Sequence, residues 1–373
     1  INDKKFIIWV HIADPSRLIE KDSLLDIEAR RRATSIYLAT GVISMFPLEL
    51  SVNGLSLLKH KKNPAISISV ELSDIGEIKE TRITRSWINP TYQLTYEDVD
   101  ELIDLEPNEE LELSILNRLL KTRRNQRVGN GALILQQNYG KIKSIDGTPK
   151  LSICDTSDSR NLVSEAMILA GSVFAEYGRA NNLPLPYRCQ SASILPDKSL
   201  LDKFKDIEVR NSIIKRSLHK GRTCISPNSH FSLGLKTYVQ ATSPIRRYTD
   251  IIVHRQIVAH IEGTEIDSDQ KILEEITRIE ISLRQASEIS REDQRNIFIK
   301  WIETNRIKKL NSIFLFWINQ PNRIALVHVP SIAMDINCQV MNDCSLETSN
   351  KVELIIRGVD VDSNTINVDT STS

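Results

Sequence analysis

The run Thr242-Ser243-Pro244-Ile245-Arg246-Arg247-Tyr248-Thr249-Asp250 sets two adjacent arginines behind a proline and closes on a tyrosine and an aspartate. Such a set suits recognition of a phosphodiester. A guanidinium offers a planar fork that grips a phosphate through two bonds, which an ammonium cannot do. Pro244 fixes its own φ and so places Arg246 in advance of any ligand. Arg247 has two uses open to it, a neighbouring phosphate or an ion pair with Asp250. The same run also reads as a helix start, with Thr242 or Ser243 as cap, Pro244 in the first turn, and Tyr248 and Ile252 turned inward. The two readings are compatible, because a helix N-terminus itself attracts phosphate.

Regular elements must hold that run in place. Residues 6–13 are continuously apolar, the pattern of a strand buried on both faces, and Ala13-Asp14-Pro15-Ser16 follows as a turn. Residues 23–35 are expected to be helical, acidic near the start and carrying Arg30, Arg31 and Arg32 later, as a helix dipole favours. Residues 65–72 alternate strictly, Ile66, Ile68, Val70 and Leu72 sharing one face. Asp74-Ile75-Gly76 then turns the chain, and residues 77–87 return it as a hairpin. Residues 111–124 read as an amphipathic helix with Leu113, Leu116, Leu119 and Leu120 on one stripe, and residues 132–135 as a short strand. Residues 161–180 read as a long buried helix, stopped by Asn181, Asn182 and Pro184. From Asp250 to about Lys309 the chain is expected to be helical, broken near Gly263. Five short strands follow, at 312–317, 324–329, 337–340, 351–357 and 365–368, the number and spacing of a small OB-type barrel. The fold class is α+β, with residues 1–262 as the main unit, 263–310 as a helical extension completing it, and 311–373 as the barrel.

At 373 residues the chain can bury one large core and at least one smaller module. No apolar run reaches the roughly 18 residues that cross a bilayer, and no signal-peptide pattern opens the chain. A soluble protein without a membrane partner is expected, in a bacterial cytoplasm or a plastid. Cys154, Cys189, Cys224, Cys338 and Cys344 are odd in number and mostly far apart, which reads as free thiols in a reducing compartment. The formal net charge is zero, so bulk charge points to no polyanion partner. Residues 312–373 hold three basic residues against seven acidic ones, and the remainder carries the balancing excess. Basic clusters sit there at 121–127, at Lys220 and Arg222, and at Arg246 and Arg247; the first is expected to be a solvated helix face. The chain opens Ile1-Asn2-Asp3-Lys4-Lys5 and enters its first strand at once, which reads as a piece of a longer protein.

Several stretches taken together resemble the ribonuclease II family, whose core is the RNB domain. The quoted run is similar to that family's most distinctive late signature, followed by His254-Arg255, with His230-Phe231-Ser232-Leu233-Gly234-Leu235 upstream. Val10-His11-Ile12-Ala13-Asp14-Pro15-Ser16 is similar to its opening strand and turn. Ala33-Thr34-Ser35-Ile36-Tyr37-Leu38, Met45-Phe46-Pro47-Leu48-Glu49-Leu50-Ser51, Leu162-Val163-Ser164-Glu165-Ala166-Met167 and Pro186-Tyr187-Arg188 follow in the family's order. The resemblance implies an RNB catalytic fold, a mixed sheet packed with helices, and a C-terminal OB-type RNA-binding barrel. It implies processive 3′-to-5′ hydrolysis of single-stranded RNA to nucleoside 5′-monophosphates with Mg²⁺, by a chain acting as a monomer. Arg246 is then the expected catalytic residue, the cationic partner of developing charge. Tyr96 lines up with the tyrosine that stacks on the terminal base, a contact every base can make. Arg247, Tyr248, Glu292, His11 and Asp14 are the other residues expected near RNA, although Glu292 also reads as a solvated helix position. The family's opposing aromatic would fall near residues 183–185, where this chain has none, so the two-ring clamp is not carried over.

The family's metals are held by four aspartates, spaced roughly Asp-x5-Asp-x-Asp-Asp, just before the first strand, as hard cations require. They would lie upstream of Ile1; Asp3 does not fit the spacing, and Asp98, Asp100 and Glu101 have ordinary helix spacing. No metal ligand is expected within the chain. The parent is expected to be an exoribonuclease, while these 373 residues are expected to bind RNA poorly and hydrolyse almost none. The alternative is a non-catalytic RNB-derived scaffold that binds RNA or protein. Arg246 and Tyr96 favour the enzyme, and the absent second aromatic favours the scaffold.

Overall fold

β1 (Ile7–Ala13) is an edge strand. The computed structural model describes residues 6–360 and 365–372, so Asp3 lies outside the described residues. After β1 come α1 (Leu24–Arg32) and a small hairpin, β2 (Ile36–Leu38) with β3 (Gly41–Ile43). Ser23 starts α1 by accepting the Asp26 N–H on its hydroxyl. The long hairpin of β4 (Asn63–Leu72) and β5 (Ile78–Ile88) completes an antiparallel sheet in the order β1-β4-β5. Strict alternation at 65–72 thus becomes the central strand, with Ile12 opposite Ile66 and Ile8 opposite Val70. β1 itself departs from the expectation of burial on both faces. Ile8 and Ile12 are buried, but Ile7 is 57% and Trp9 50% exposed, because helices cover only one side of this edge.

α2 (Tyr96–Leu105) opens on a reciprocal cap between Thr95 and Asp98. α3 (Leu111–Gly129) follows, then the hairpin of β6 (Tyr139–Ile145) and β7 (Thr148–Cys154), and α4 (Asp158–Ala180). Residues 132–135, expected as a strand, are irregular: Leu133 N–H donates to Ser232 O, which belongs to a single helical turn and offers no ladder. The basic cluster at 121–127, expected on a solvated face, is also corrected. Arg123 and Arg127 are buried. Arg127 makes a two-bond pair with Glu165 of α4, Nε to Oε1 at 2.7 Å and Nη2 to Oε2 at 2.5 Å, and Nη1 reaches Leu233 O. The apolar stripe of α3 therefore continues into a polar seam against α4.

β8 (Tyr187–Cys189), α5 (Lys198–Leu201), α6 (Ile207–Ser217) and β9 (Arg222–Cys224) lead to α7 (Tyr248–Glu262) and α8 (Asp269–Thr304). The main core joins Ile66, Ile68 and Val70 of the sheet to Leu169, Val173 and Phe174 of α4 and Val253 and Ile257 of α7. Gly171 lets α4 approach residues 238–239; a Cβ there would lie 2.5 Å from Val239 O. α8 bridges two cores, with Ile272 and Ile279 packing beside Tyr248 and Ile297, Phe298 and Ile302 packing under the C-terminal strands.

Those strands are β10 (Lys309–Asn319), β11 (Ile324–Val329), β12 (Met334–Val340), β13 (Lys351–Asp360) and β14 (Thr365–Thr372). They close a barrel in the order β10-β11-β12-β14-β13, with β12 and β14 parallel and the other neighbours antiparallel. Phe314, Val327, Leu354 and Val368 fill it. All five cysteines are free thiols. No helix among the described residues is long and apolar enough to cross a membrane.

Candidate functional site

Residues 243–247 form a tight turn, and the helix expected from Thr242 onward starts at Tyr248. The N–H groups of Arg246 and Arg247 both donate to Ser243 O, at 3.1 and 3.0 Å. The buried carboxylate of Asp250 explains the difference. It accepts Ser243 N–H at 2.8 Å and Arg247 Nε and Nη2 at 3.2 and 2.7 Å, so the turn closes without a side-chain cap at the residue before the helix. Arg247 thus takes the structural one of its two uses. The phosphate contact expected of it would have to come from a guanidinium already tied to Asp250.

The turn is also stapled sideways to residues 33–35. Arg246 O accepts from Ser35 N–H at 3.0 Å and from Thr34 Oγ1 at 2.9 Å, and Tyr248 N–H donates to Ala33 O at 2.9 Å. Beneath it the Tyr248 hydroxyl donates to Asp26, while Arg30 and Arg255 donate to that hydroxyl and pair with Asp26. Tyr248 is 1% exposed, and burial pushes its phenol up to about 12. Expected near RNA, Tyr248 instead faces the interior, where it locks α1 to α7 behind the turn.

Arg246 differs from its neighbours. It is exposed, and among the described residues its guanidinium has no carboxylate or hydrogen-bonded partner. It lies over the ring of Tyr37, 5.9 Å from the centroid. Both side chains line a cavity of about 430 Å³, with His11, Ser35, Ser51, Val52 and Thr242 among the other walls. Arg246 is the cation of this lining, and no carboxylate shares it. The aliphatic and aromatic wall suits a nucleobase, and the serine and threonine hydroxyls suit a sugar.

His11 reaches this cavity from the end of β1. Its Nδ1 lies 2.6 Å from Ser67 Oγ, which in turn bonds Ser86 Oγ, and burial holds the imidazole below its ordinary pKa. It is therefore a neutral polar wall near pH 7. Asp14 does not reach the cavity; it is 1% exposed. Burial acts to raise its pKa, but the Ser16 hydroxyl, His254 and Arg85 hold it below the usual carboxylate range. Arg85 Nε lies 2.9 Å and Arg17 Nε 3.5 Å from Asp14 Oδ2, so the expected contact of Asp14 with RNA gives way to a buried ion pair behind the wall.

Tyr96 and Glu292 are not brought to this cavity. Tyr96 is the first residue of α2, and the Arg160 guanidinium covers one face of its ring at 4.3 Å. Glu292 is exposed on α8, while its neighbours Arg291 and Gln294 line an adjoining cavity of about 460 Å³ that shares Ser35 and Tyr37 with the first. Tyr37 therefore stands between two cavities, and sequence reasoning gave it no role. Its only signal was its place in the 33–38 stretch, because a three-residue strand does not disclose which face meets a cavity.

The described residues do not fit a magnesium ion. No group of three or more His, Cys, Asp or Glu side chains among them could hold a metal, and Asp14, the carboxylate beside the first strand, is committed to Arg85.

A family model described as the RNB domain matches residues 1–263. An uncharacterized ribonuclease of Synechocystis sp. is 36% identical over 331 residues, covering 88% of this chain and 50% of its own length. Ribonuclease II, chloroplastic/mitochondrial, of Arabidopsis thaliana is 38% identical over 270 residues, 70% of this chain and 34% of its own. The chain thus spans half or less of the length of these curated relatives. The structure of Mycoplasma genitalium RNase R in complex with ribose methylated single-stranded RNA superposes with a TM-score of 0.85 at 17% identity, over 98% of this chain and 67% of that one. That likeness shows a shared fold.

Proposed function

The chain belongs to the RNB-domain family of exoribonucleases, and we propose that it forms the RNA-holding part of an enzyme that hydrolyses single-stranded RNA from the 3′ end to nucleoside 5′-monophosphates. The cavity at the end of β1 holds the last nucleotides. Arg246 takes a backbone phosphate through its planar fork, and Tyr37 supports a base. One observation carries this reading: an exposed guanidinium with no ion-pair or hydrogen-bonded partner among the described residues, set over an aromatic ring on a turn held by the bonds of Arg246 O with Thr34 and Ser35.

The chemistry of these residues is binding and charge stabilisation. A guanidinium held in advance stabilises charge that grows on phosphate oxygens, without reorganising as the bond breaks. His11, neutral and bonded to Ser67, shapes the wall beside it. Asp250, Arg247 and Tyr248 act through the backbone of the turn. Magnesium, which the reading implies for the whole enzyme, is assigned to no described residue.

The test is anisotropy of a fluorescent single-stranded RNA with a free 3′ end, titrated with the chain and with Arg246→Ala and Tyr37→Ala. Weak saturable binding, lowered about tenfold or more by either change, supports the assignment. Variants that bind as the parent does would remove this cavity from the RNA path.

A further inference from the structure

A larger cavity, of about 1090 Å³, opens between the start of β5, the C-terminal halves of α3 and α4 and residues 227–237, and shares no lining residue with the Arg246 cavity. Three cations line it, Arg123, Arg179 and Lys236, together with two carboxylates, Glu77 and Glu176. Arg179 and Glu176 satisfy each other through two bonds along α4. Arg123 has no such match. It is 6% exposed, and its Nη1 donates only to neutral acceptors, Gly76 O at 3.2 Å and Gln126 Oε1 at 2.8 Å. Its Nε is buried with no partner among the described residues. Glu165 acts on Arg123 only at a distance, its carboxylate being taken by the fork of Arg127. Glu77 shares the cavity without a hydrogen bond to Arg123.

A desolvated cation with an idle donor is ordinarily matched by an anion. Among the described residues the interior does not supply a bonded one, and the open space beside Arg123 leaves room for one. His230 adds a second unmatched group, since its Nδ1 is also buried without a partner. Burial, aided by Arg188, holds that imidazole down to about 4, so it meets a ligand as a neutral group. Ile78, Pro227, Phe231 and Leu235 give the cavity an apolar wall, and the Gln126 and Asn130 amides stand at its polar side.

We propose that this cavity binds the phosphate of a mononucleotide, with Arg123 and Lys236 on the phosphate and the Phe231 wall against the base. The proposal does not rest on the reading of the Arg246 cavity. A bare phosphate would leave most of the space and the whole apolar wall unused.

Calorimetric titration of the 373-residue chain with 5′-AMP, inorganic phosphate and adenosine tests it. Saturable binding of 5′-AMP is expected, tighter than either of the other two. Arg123→Gln is expected to weaken it about tenfold or more and Lys236→Ala by a few-fold. Absence of saturable 5′-AMP binding overturns the proposal, as does equal affinity for phosphate. So does a loss confined to Arg246→Ala, which would put the nucleotide in the other cavity. Lys236 is exposed, so its variant decides alone if Arg123→Gln fails to fold, and unchanged affinity there overturns the assignment.

Discussion

The guanidinium of Arg246 stands 5.9 Å from the ring centroid of Tyr37, and the backbone bonds from Arg246 O to Thr34 and Ser35 fix the two segments together. Because this guanidinium has no hydrogen-bonded or ion-pair partner among the described residues, removing it should separate binding from folding. Arg246→Ala is expected to lower affinity for a single-stranded RNA about tenfold or more, while changing unfolding stability by no more than about 0.5 kcal/mol. Arg246→Lys should recover only part of the affinity, because an ammonium lacks the planar fork. Anisotropy and urea unfolding on the same samples check both halves.

Tyr37 and Tyr96 are opposed candidates for base stacking, and the structure separates them. Tyr37 faces the Arg246 cavity, whereas Tyr96 carries Arg160 on one face of its ring. Stacking is worth about 1–3 kcal/mol per base, so Tyr37→Ala should weaken RNA binding at least several-fold and Tyr96→Ala hardly at all. The reverse order would return the role to the start of α2.

The Arg127–Glu165 pair lies in the interior, with both side chains under 5% exposed. Changing one member strands the other charge without water. Glu165→Gln is expected to cost about 3–5 kcal/mol of unfolding stability, measured by urea denaturation. The exposed Arg179–Glu176 pair is the control, because breaking it should cost no more than about 1 kcal/mol. Equal effects at the two sites would show that the α3–α4 seam does not depend on this pair.

Acid should weaken the fold in two stages. His254 is enclosed, its Nε2 2.7 Å from Ala241 O, with Asp14, Asp250 and Arg85 around it, and burial holds its pKa below 6.5. His230 is held down to about 4. Unfolding lets both imidazoles take up protons they refuse in the fold, so stability is full above about 6.5 and declines below it. Asp14, held below the usual carboxylate range, contributes stability that is present above about 4 and lost as pH falls through its folded value. Urea midpoints should therefore drop between about pH 7.5 and pH 5. His254→Gln should flatten that slope, and Asp14→Asn only the part below about 4. An unaltered slope in His254→Gln would assign the first stage elsewhere.

Strict alternation at residues 65–72 and the turn at Gly76 made the central hairpin legible, and evenly spaced strands did the same for the barrel. Those patterns report local burial, which period and turn chemistry encode directly. β1 misled because an edge strand and a central strand can carry the same apolar run, the difference lying in which neighbours arrive. Arg127 misled for a similar reason: a charged residue reads as solvated until its buried partner, Glu165, is brought across from α4. The turn that carries Arg246 was legible from its proline and its residue types. Its cavity was not, because Tyr37 and His11 are joined to it only by tertiary structure.

Magnesium should leave this chain as it is. A hard divalent cation needs six or more oxygens, several of them from converging carboxylates, and no group of three or more acidic, histidine or cysteine side chains converges among the described residues. Asp14 accepts from Arg85, Asp98 caps α2 through Thr95 N–H, and Asp100 accepts from the N–H and hydroxyl of Ser159. A ligand that binds only the folded state stabilises it by RT ln(1 + L/Kd) at free concentration L, so a cation with no site leaves the melting temperature where it was. Millimolar Mg²⁺ should thus shift the melting temperature by less than about 1 °C relative to EDTA. End-labelled single-stranded RNA incubated with the chain and Mg²⁺ should release almost no mononucleotide. Steady, EDTA-sensitive release would mean that carboxylates of this chain converge on a metal after all, and that the Arg246 cavity is a complete active site.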